Sequence, residues 1–126
     1  MAKVLISPGK YIQGAGEMKK IGEYASGYGK RALILISQGG YKRIGKEIEE
    51  SFAGKDCTPV FDYFQGECSK TEINRLTDVM KEQECDLVIG IGGGKIFDTA
   101  KAVAFYQKVP VVICPTIAST DAPCSA

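Results

Sequence analysis

The 126-residue sequence contains no histidine and no tryptophan, and its acidic and basic side chains almost cancel, with a formal net charge of +1. Without histidine the chain has neither a Ser–His or Cys–His nucleophile pair nor a histidine-ligated metal. The near-neutral charge removes the main electrostatic argument for a nucleic-acid partner. These absences exclude several common kinds of catalytic and binding site.

Long apolar runs and paired cysteines are also missing. No apolar stretch approaches the roughly 20 residues of a membrane-spanning helix, and MAKVLISPGK lacks the long apolar region of a signal peptide. The five cysteines form no CxxC motif, so neither a zinc knuckle nor a thioredoxin-type pair is indicated. Cys85 and Cys114 border apolar strands and are interpreted as packing residues. We therefore expect a cytoplasmic protein without a membrane partner.

Strand-like and helix-like segments alternate along the rest of the chain. Continuous apolar runs, typical of strands buried on both faces of a parallel sheet, occur in RALILIS, DLVIGI and VPVVICP. Apolar residues at helical spacing over 41–52 predict an amphipathic helix, and Ser69 with Glu72 has the spacing of a capping box. Two short apolar runs around Pro8 and Gly9 predict a hairpin or a pair of strands. The pattern predicts an α/β fold, an open and mostly parallel sheet with helices on both faces.

The turn after DLVIGI contains three consecutive glycines, Gly92, Gly93 and Gly94, followed by Lys95 and a helical pattern. Ligands of open parallel sheets bind at the carboxyl ends of the strands. The N–H groups of a helix N-terminus suit an anion there, and glycine lets a phosphate reach them. The stretch therefore predicts a phosphate or pyrophosphate site, to which Lys95 adds a positive charge. The alternative is a tight strand-to-helix turn without a ligand.

Two further sets of polar residues each allow two interpretations. Asp98 and Lys101 form either a solvated i,i+3 ion pair or, for Asp98, a side chain that faces a bound ligand. Thr116, Ser119 and Asp121 follow the last predicted strand. They bind a ligand at the same sheet edge, or they belong to an ordinary polar loop.

The motifs GGGKIFDTAKA and PTIASTDAPCSA together closely resemble the glycerol dehydrogenase branch of the iron-containing alcohol dehydrogenase family, and ISPGKYIQGAG and GECSKTEI are similar to the same family. The resemblance implies the Rossmann-like N-terminal domain of a dehydroquinate synthase-like fold. It also implies NAD-dependent oxidation of glycerol or a related diol at a secondary hydroxyl. A divalent metal such as zinc takes part in that reaction, and the full-length members commonly form homo-oligomers.

The resemblance assigns roles to individual residues. The glycines matching Gly92–Gly94 and the lysine matching Lys95 hold the pyrophosphate. The aspartate matching Asp98 lies near the nicotinamide half of the cofactor. Thr116 and Ser119 match residues that line the cofactor cleft.

The catalytic centre implied by the resemblance lies outside this sequence. Asp121 matches the residue that approaches the substrate hydroxyls, but no residue matches a catalytic group or a metal ligand. The family's metal ligands, one aspartate and two histidines, belong to a C-terminal helical domain. We therefore expect residues 1–126 to form a dinucleotide-binding domain that is inactive alone. A stand-alone nucleotide-binding module and a non-catalytic remnant are the alternatives.

Ser37 departs from the family pattern. Members that prefer NAD usually carry an aspartate at the end of the corresponding strand, where it binds the adenosine ribose. Serine carries no charge that repels a 2′-phosphate. The sequence therefore predicts Ser37 as a cofactor contact, with NADP as a second candidate beside NAD.

Overall fold

The computed structural model describes residues 9–11, for their backbone, and residues 21–115. Within them lies one sheet of five strands, with all strand pairs parallel. The strands are β1 (Gly9–Tyr11), β2 (Arg31–Ile36), β3 (Thr58–Tyr63), β4 (Leu87–Gly92) and β5 (Val111–Pro115). Their order across the sheet is β1-β5-β4-β2-β3.

Four helices cover the two faces of this sheet: α1 (Ile21–Ser26), α2 (Gln38–Ser51), α3 (Lys70–Gln83) and α4 (Gly94–Gln107). Helices α1 and α2 pack against one face, and α3 and α4 pack against the other. The predicted parallel sheet with helices on both faces is thus confirmed. Among the described residues, no helix is long and apolar enough to cross a lipid bilayer.

The continuous apolar runs follow from this layering. Along β2, Ile34 and Ile36 join the core beneath α1 and α2, whereas Leu33 and Leu35 join the core beneath α3 and α4. All four side chains are at most 1% exposed. A strand covered on both faces has no position for a polar side chain, so its sequence does not alternate.

Two predicted element starts differ from the structure. Helix α2 begins at Gln38 rather than at Tyr41, because the Ser37 side chain caps it. Of the two predictions around Pro8 and Gly9, the hairpin is wrong at Gly9, which lies in β1 and pairs in parallel with Val111 instead of forming a turn. The rest of the predicted hairpin or pair of strands lies outside the described residues.

The strand order creates a crevice between β2 and β4. From β2 the chain continues through α2 to β3 on one side, and from β4 it continues through α4 to β5 on the other. Ile36 pairs with Ile91, so Ser37 and Gly92 follow at adjacent places on the carboxyl edge. Such a reversal of strand order is where open α/β sheets bind ligands.

Candidate functional site

The turn from β4 to α4 requires glycine at Gly92 for its backbone conformation. Its φ is +145°, a region that L side chains rarely adopt, and a Cβ there would lie 2.7 Å from Ile96 Cδ1. Nearby, a Cβ on Gly90 would lie 3.0 Å from the Ala100 Cβ. Glycine at these two positions thus lets the chain turn sharply and brings α4 close to β4.

Gly93 and Gly94 have a different role, because a Cβ at either position would meet no atom within 4 Å. Gly93 is the N-cap of α4 and provides no side-chain hydrogen bond to it. The first bond of the helix runs from Phe97 N–H to the Gly93 carbonyl, at 3.0 Å. The N–H groups before it, including those of Gly94 and Lys95, therefore have no acceptor within the helix. Together with the helix dipole they form a place for an anion that glycine leaves accessible.

The Lys95 side chain contacts the loop between β3 and α3. Its Nζ donates a hydrogen bond to Glu67 Oε2 at 3.1 Å, and the two side chains are 64% and 75% exposed. The contact joins the start of α4 to the β3–α3 loop. This loop follows the carboxyl end of β3, just as the glycine turn follows the carboxyl end of β4. Lys95 thus lies at the predicted phosphate site with a carboxylate beside it.

The ends of that loop are fixed by a network around Arg75. The guanidinium donates to Glu72 Oε2 at 2.8 Å, to Asp62 Oδ1 at 2.9 Å and to the Tyr63 carbonyl at 3.1 Å. Glu72 Oε2 also accepts the Gln65 N–H at 3.0 Å. The network ties the end of β3, the start of the loop and the first turn of α3 together.

The same contacts keep this network ionised. Burial alone would raise the pKa of Glu72, but the hydrogen bonds from Arg75 and from the Gln65 N–H outweigh it and hold that pKa below its usual range. The hydrogen bond with Glu72 is the main cause that raises the pKa of Arg75. A charged pair is thus present at neutral pH, and it stabilises the base of the loop.

Ser37, the predicted contact for the adenosine ribose, is the N-cap of α2. Its Oγ accepts the Gly40 N–H at 2.9 Å, and the side chain is half-buried. A Cβ on Gly40 would lie 3.0 Å from that Oγ, so glycine permits the close approach. Ser37 stands beside the glycine turn at the crevice, but its hydroxyl already has a structural partner.

Asp98 lies one turn into α4 and is 67% exposed. Its carboxylate is 3.8 Å from Lys101 Nζ, so the ion pair that the spacing indicated is present. An exposed pair of this length contributes little to stability. That Asp98 faces the nicotinamide stays a prediction.

The other predicted contacts, Thr116, Ser119 and Asp121, lie outside the described residues. The residue that precedes them, Pro115, pairs with Gly92 in the sheet register. The chain therefore leaves β5 beside the glycine turn, which is compatible with the predicted position of these side chains.

Glu67, Asp62 and Arg75 were not singled out from the sequence, and Glu72 was predicted only as part of a capping box. Glu67 and Lys95 are 28 residues apart, and no periodicity links them. One signal was available, because Glu67 follows the end of a strand and the carboxyl ends of parallel strands share one edge. Polar residues after every predicted strand thus deserve equal consideration.

The metal implied by the resemblance does not fit this chain. In the part of the chain that the structure describes, no group of three or more His, Cys, Asp or Glu side chains could hold a metal ion. The sequence also has no histidine, whereas the implied ligand set includes two.

Comparison with known proteins relates the chain to one family. Residues 8–126 match the sequence profile of the iron-containing alcohol dehydrogenase family. The chain is 49% identical over 127 residues to a glycerol dehydrogenase of Thermotoga maritima, with 100% of this chain and 34% of that protein aligned. It is 44% identical over 126 residues to a glycerol dehydrogenase of Citrobacter freundii, with the same coverage.

A solved structure shows the same fold. The probable glycerol dehydrogenase of Sinorhizobium meliloti 1021 superimposes with a TM-score of 0.76 at 45% identity, and the match covers 94% of this chain and 31% of that one. The chain spans roughly a third of the length of the relatives it matches. Because the family profile covers residues 8–126, the chain belongs to the iron-containing alcohol dehydrogenase family.

Proposed function

We propose that this chain is the dinucleotide-binding domain of a polyol dehydrogenase that uses NAD and oxidises glycerol or a related diol. The observation that carries the proposal is the open glycine turn at the uncapped start of α4, beside the crevice between β2 and β4. The names of the similar glycerol dehydrogenases support the substrate class. The substrate itself and the assembly of the whole enzyme into homo-oligomers are part of the proposal.

The diphosphate is the part of the dinucleotide that this turn suits. The N–H groups of Gly94, Lys95 and Ile96 precede the first helical hydrogen bond and are available as donors. Gly93 and Gly94 leave space in front of them, and the Lys95 ammonium adds a charge. The start of α4, the lack of side chains at Gly93 and Gly94, and the Lys95 ammonium all favour binding of a multiply charged phosphate.

The remaining contacts complete the cofactor site in the proposal. Ser37 lies where the adenosine ribose would bind. It carries no charge that would repel a 2′-phosphate, so NADP is a second candidate cofactor beside NAD. Asp98 lies toward the nicotinamide half, and Thr116 and Ser119 line the cleft. When bound, NAD would supply the acceptor for the hydride of the secondary alcohol, while Asp121 would orient the substrate hydroxyls; no residue of this chain is assigned to take the hydroxyl proton. An aspartate carboxylate with its ordinary pKa of about 3.9 is far too weak a base to deprotonate an alcohol, so Asp121 is not assigned that role.

The test is a titration of the chain with NADH, followed by the fluorescence of the cofactor. Gly94→Ala adds a methyl group where the fold has room, so the variant should stay folded. The added methyl group would occupy the space in front of the N–H groups and keep the phosphate from reaching them. The variant should therefore bind NADH about tenfold or more weakly, because charge-assisted hydrogen bonds to the phosphate are lost. The chain has no tryptophan to interfere with the signal.

Gly39→Ala is the matched control for this experiment. Gly39 lies in the first turn of the neighbouring helix α2, and a Cβ there also meets no atom within 4 Å. We expect this variant to bind NADH nearly as well as the unmodified chain. Absence of saturable binding by the unmodified chain would contradict the proposal, and a larger loss with Gly39→Ala would place the diphosphate at α2 instead.

A further inference from the structure

The cation of the candidate phosphate site is already paired with a carboxylate of the chain. Lys95 Nζ lies 3.1 Å from Glu67 Oε2, within hydrogen-bond distance. The pair bridges 28 residues of sequence and joins the β3–α3 loop to the first turn of α4. Any anion that binds Lys95 at the glycine turn must therefore share this ammonium with Glu67 or displace it.

The loop that carries Glu67 is held at both ends but not at Glu67. At its start, the Gln65 N–H is bound to Glu72, which Arg75 holds in turn. At its end, Ser69 caps α3 by accepting the Glu72 N–H at 3.1 Å. The Glu67 side chain is 75% exposed. Its backbone position is thus fixed near Lys95, while its carboxylate can rotate away.

Exchange of partners favours a diphosphate over the carboxylate. A diphosphate carries more negative charge than Glu67, and it also meets the free N–H groups of Gly94 and its neighbours. The carboxylate of Glu67 makes a single exposed contact, which contributes little free energy. A singly charged anion lacks this advantage, so it displaces Glu67 from Lys95 less readily than a diphosphate does.

We propose that Glu67 is an exchangeable counter-ion of the phosphate site: its carboxylate and the diphosphate of the ligand compete for the ammonium of Lys95. The inference rests on the proposed function, because it needs a diphosphate at the turn. It assigns to Glu67 an effect on ligand affinity without any contact between Glu67 and the ligand. Glu67 thereby lowers the affinity for a diphosphate that binds Lys95.

The test compares Glu67→Gln with the unmodified chain in NADH titrations at low ionic strength. The variant should bind NADH about twofold to fivefold more tightly, since an exposed ion pair no longer has to be broken. The gain should shrink at high salt, where exposed charges are screened. Glu82→Gln is the matched control: it removes the same charge from the last turn of α3, at the opposite end of that helix. It should leave the affinity unchanged.

A double-mutant cycle with Lys95→Gln separates exchange from general repulsion. In the Lys95→Gln background no ammonium is contested, so Glu67→Gln should give little or no gain. An equal gain in both backgrounds would mean that Glu67 only repels the ligand, and it would overturn the inference.

Two other results distinguish this inference from the proposed function. If the unmodified chain binds NADH but Glu67→Gln binds it no more tightly, the exchange is wrong and the phosphate site stands. If neither protein binds NADH, or inorganic pyrophosphate measured by calorimetry, the site at the glycine turn is itself wrong.

Discussion

At the scale of the residue, glycine meets two separate needs in the β4–α4 turn. Gly92 is required by the fold, because its φ of +145° and the close Ile96 side chain exclude a Cβ. Gly93 and Gly94 are surrounded by open space, so the fold alone does not require glycine there. These two positions are where the proposed diphosphate would reach the backbone.

Ser37 offers a test of cofactor preference at a single residue. Ser37→Asp should keep the cap of α2, because aspartate is as good an N-cap as serine. Its charge would repel the 2′-phosphate of NADPH, so the ratio of NADH to NADPH affinity should rise by about tenfold, equivalent to roughly 1.4 kcal/mol. Parallel fluorescence titrations with the two cofactors measure this ratio.

Ser37→Ala is the control for that prediction. It removes the hydrogen bond to the Gly40 N–H and should lower the free energy of unfolding by about 1 kcal/mol. It adds no charge, so the ratio of the two affinities should stay the same. A ratio that is also unchanged in Ser37→Asp would place the adenosine ribose away from Ser37.

At the scale of the element, α3 shows how a predicted local motif is partly replaced by tertiary contacts. Ser69 accepts the Glu72 N–H, as the capping-box spacing indicates. The Glu72 carboxylate instead accepts hydrogen bonds from Arg75 and from the Gln65 N–H. The helix start thereby becomes attached to β3 and its loop, which a local cap alone would not achieve.

This use of Glu72 predicts a pH-dependent contribution to stability. Its pKa is lowered in the folded chain, so its contribution is complete above the unfolded pKa of about 4.3 and is lost as the pH falls through the folded value. Glu72→Gln removes the charge that accepts hydrogen bonds from Arg75, so it should lower the free energy of unfolding at pH 7. The loss should be about 1–2 kcal/mol and no larger, because Arg75 is partly exposed. The deficit should shrink below about pH 4. Urea unfolding followed by circular dichroism at both pH values measures it.

The control for this series is Glu82→Gln, an exposed glutamate of the same helix. Its effect on unfolding should be within about 0.5 kcal/mol at either pH. If the Glu72→Gln deficit were equal at neutral and acid pH, Glu72 would act through packing and not through its charge.

At the scale of the whole molecule, the sheet separates two apolar cores that share its central strands. Every residue of β4 from Leu87 to Ile91 is buried, as is every residue of β5, and in β2 only Arg31 is partly exposed. The edge strand β3 is partly exposed along its length. The carboxyl edge of the sheet, where α2 and α4 begin, is therefore supported by the most buried part of the molecule.

Amide hydrogen exchange should reflect this difference. We expect amides of β4 and β2 to exchange at least about tenfold more slowly than those of β3, since exchange from central strands requires wider opening of the sheet. Mass spectrometry or NMR of the chain in deuterated buffer gives the rates strand by strand. Equal protection in β3 and β4 would indicate that the sheet opens as a single unit.

The sequence by itself determined the features that depend on near neighbours. Apolar runs and helical spacing predicted β2, β4, β5 and α2, and Ser69 was correctly placed at a helix start. The glycine run predicted a turn from a strand to a helix, which the structure contains between β4 and α4; that a phosphate binds there stays a prediction. These signals are local: burial on both faces, a cap within one turn of helix, and the backbone freedom of glycine.

Only the tertiary structure decided which distant residues meet. The strand order places Ser37 beside Gly92, and the β3–α3 loop brings Glu67 to Lys95. It also gave Glu72 partners outside its own helix. Such contacts depend on which strands pair and on how helices pack against them, and no spacing along the chain records that choice.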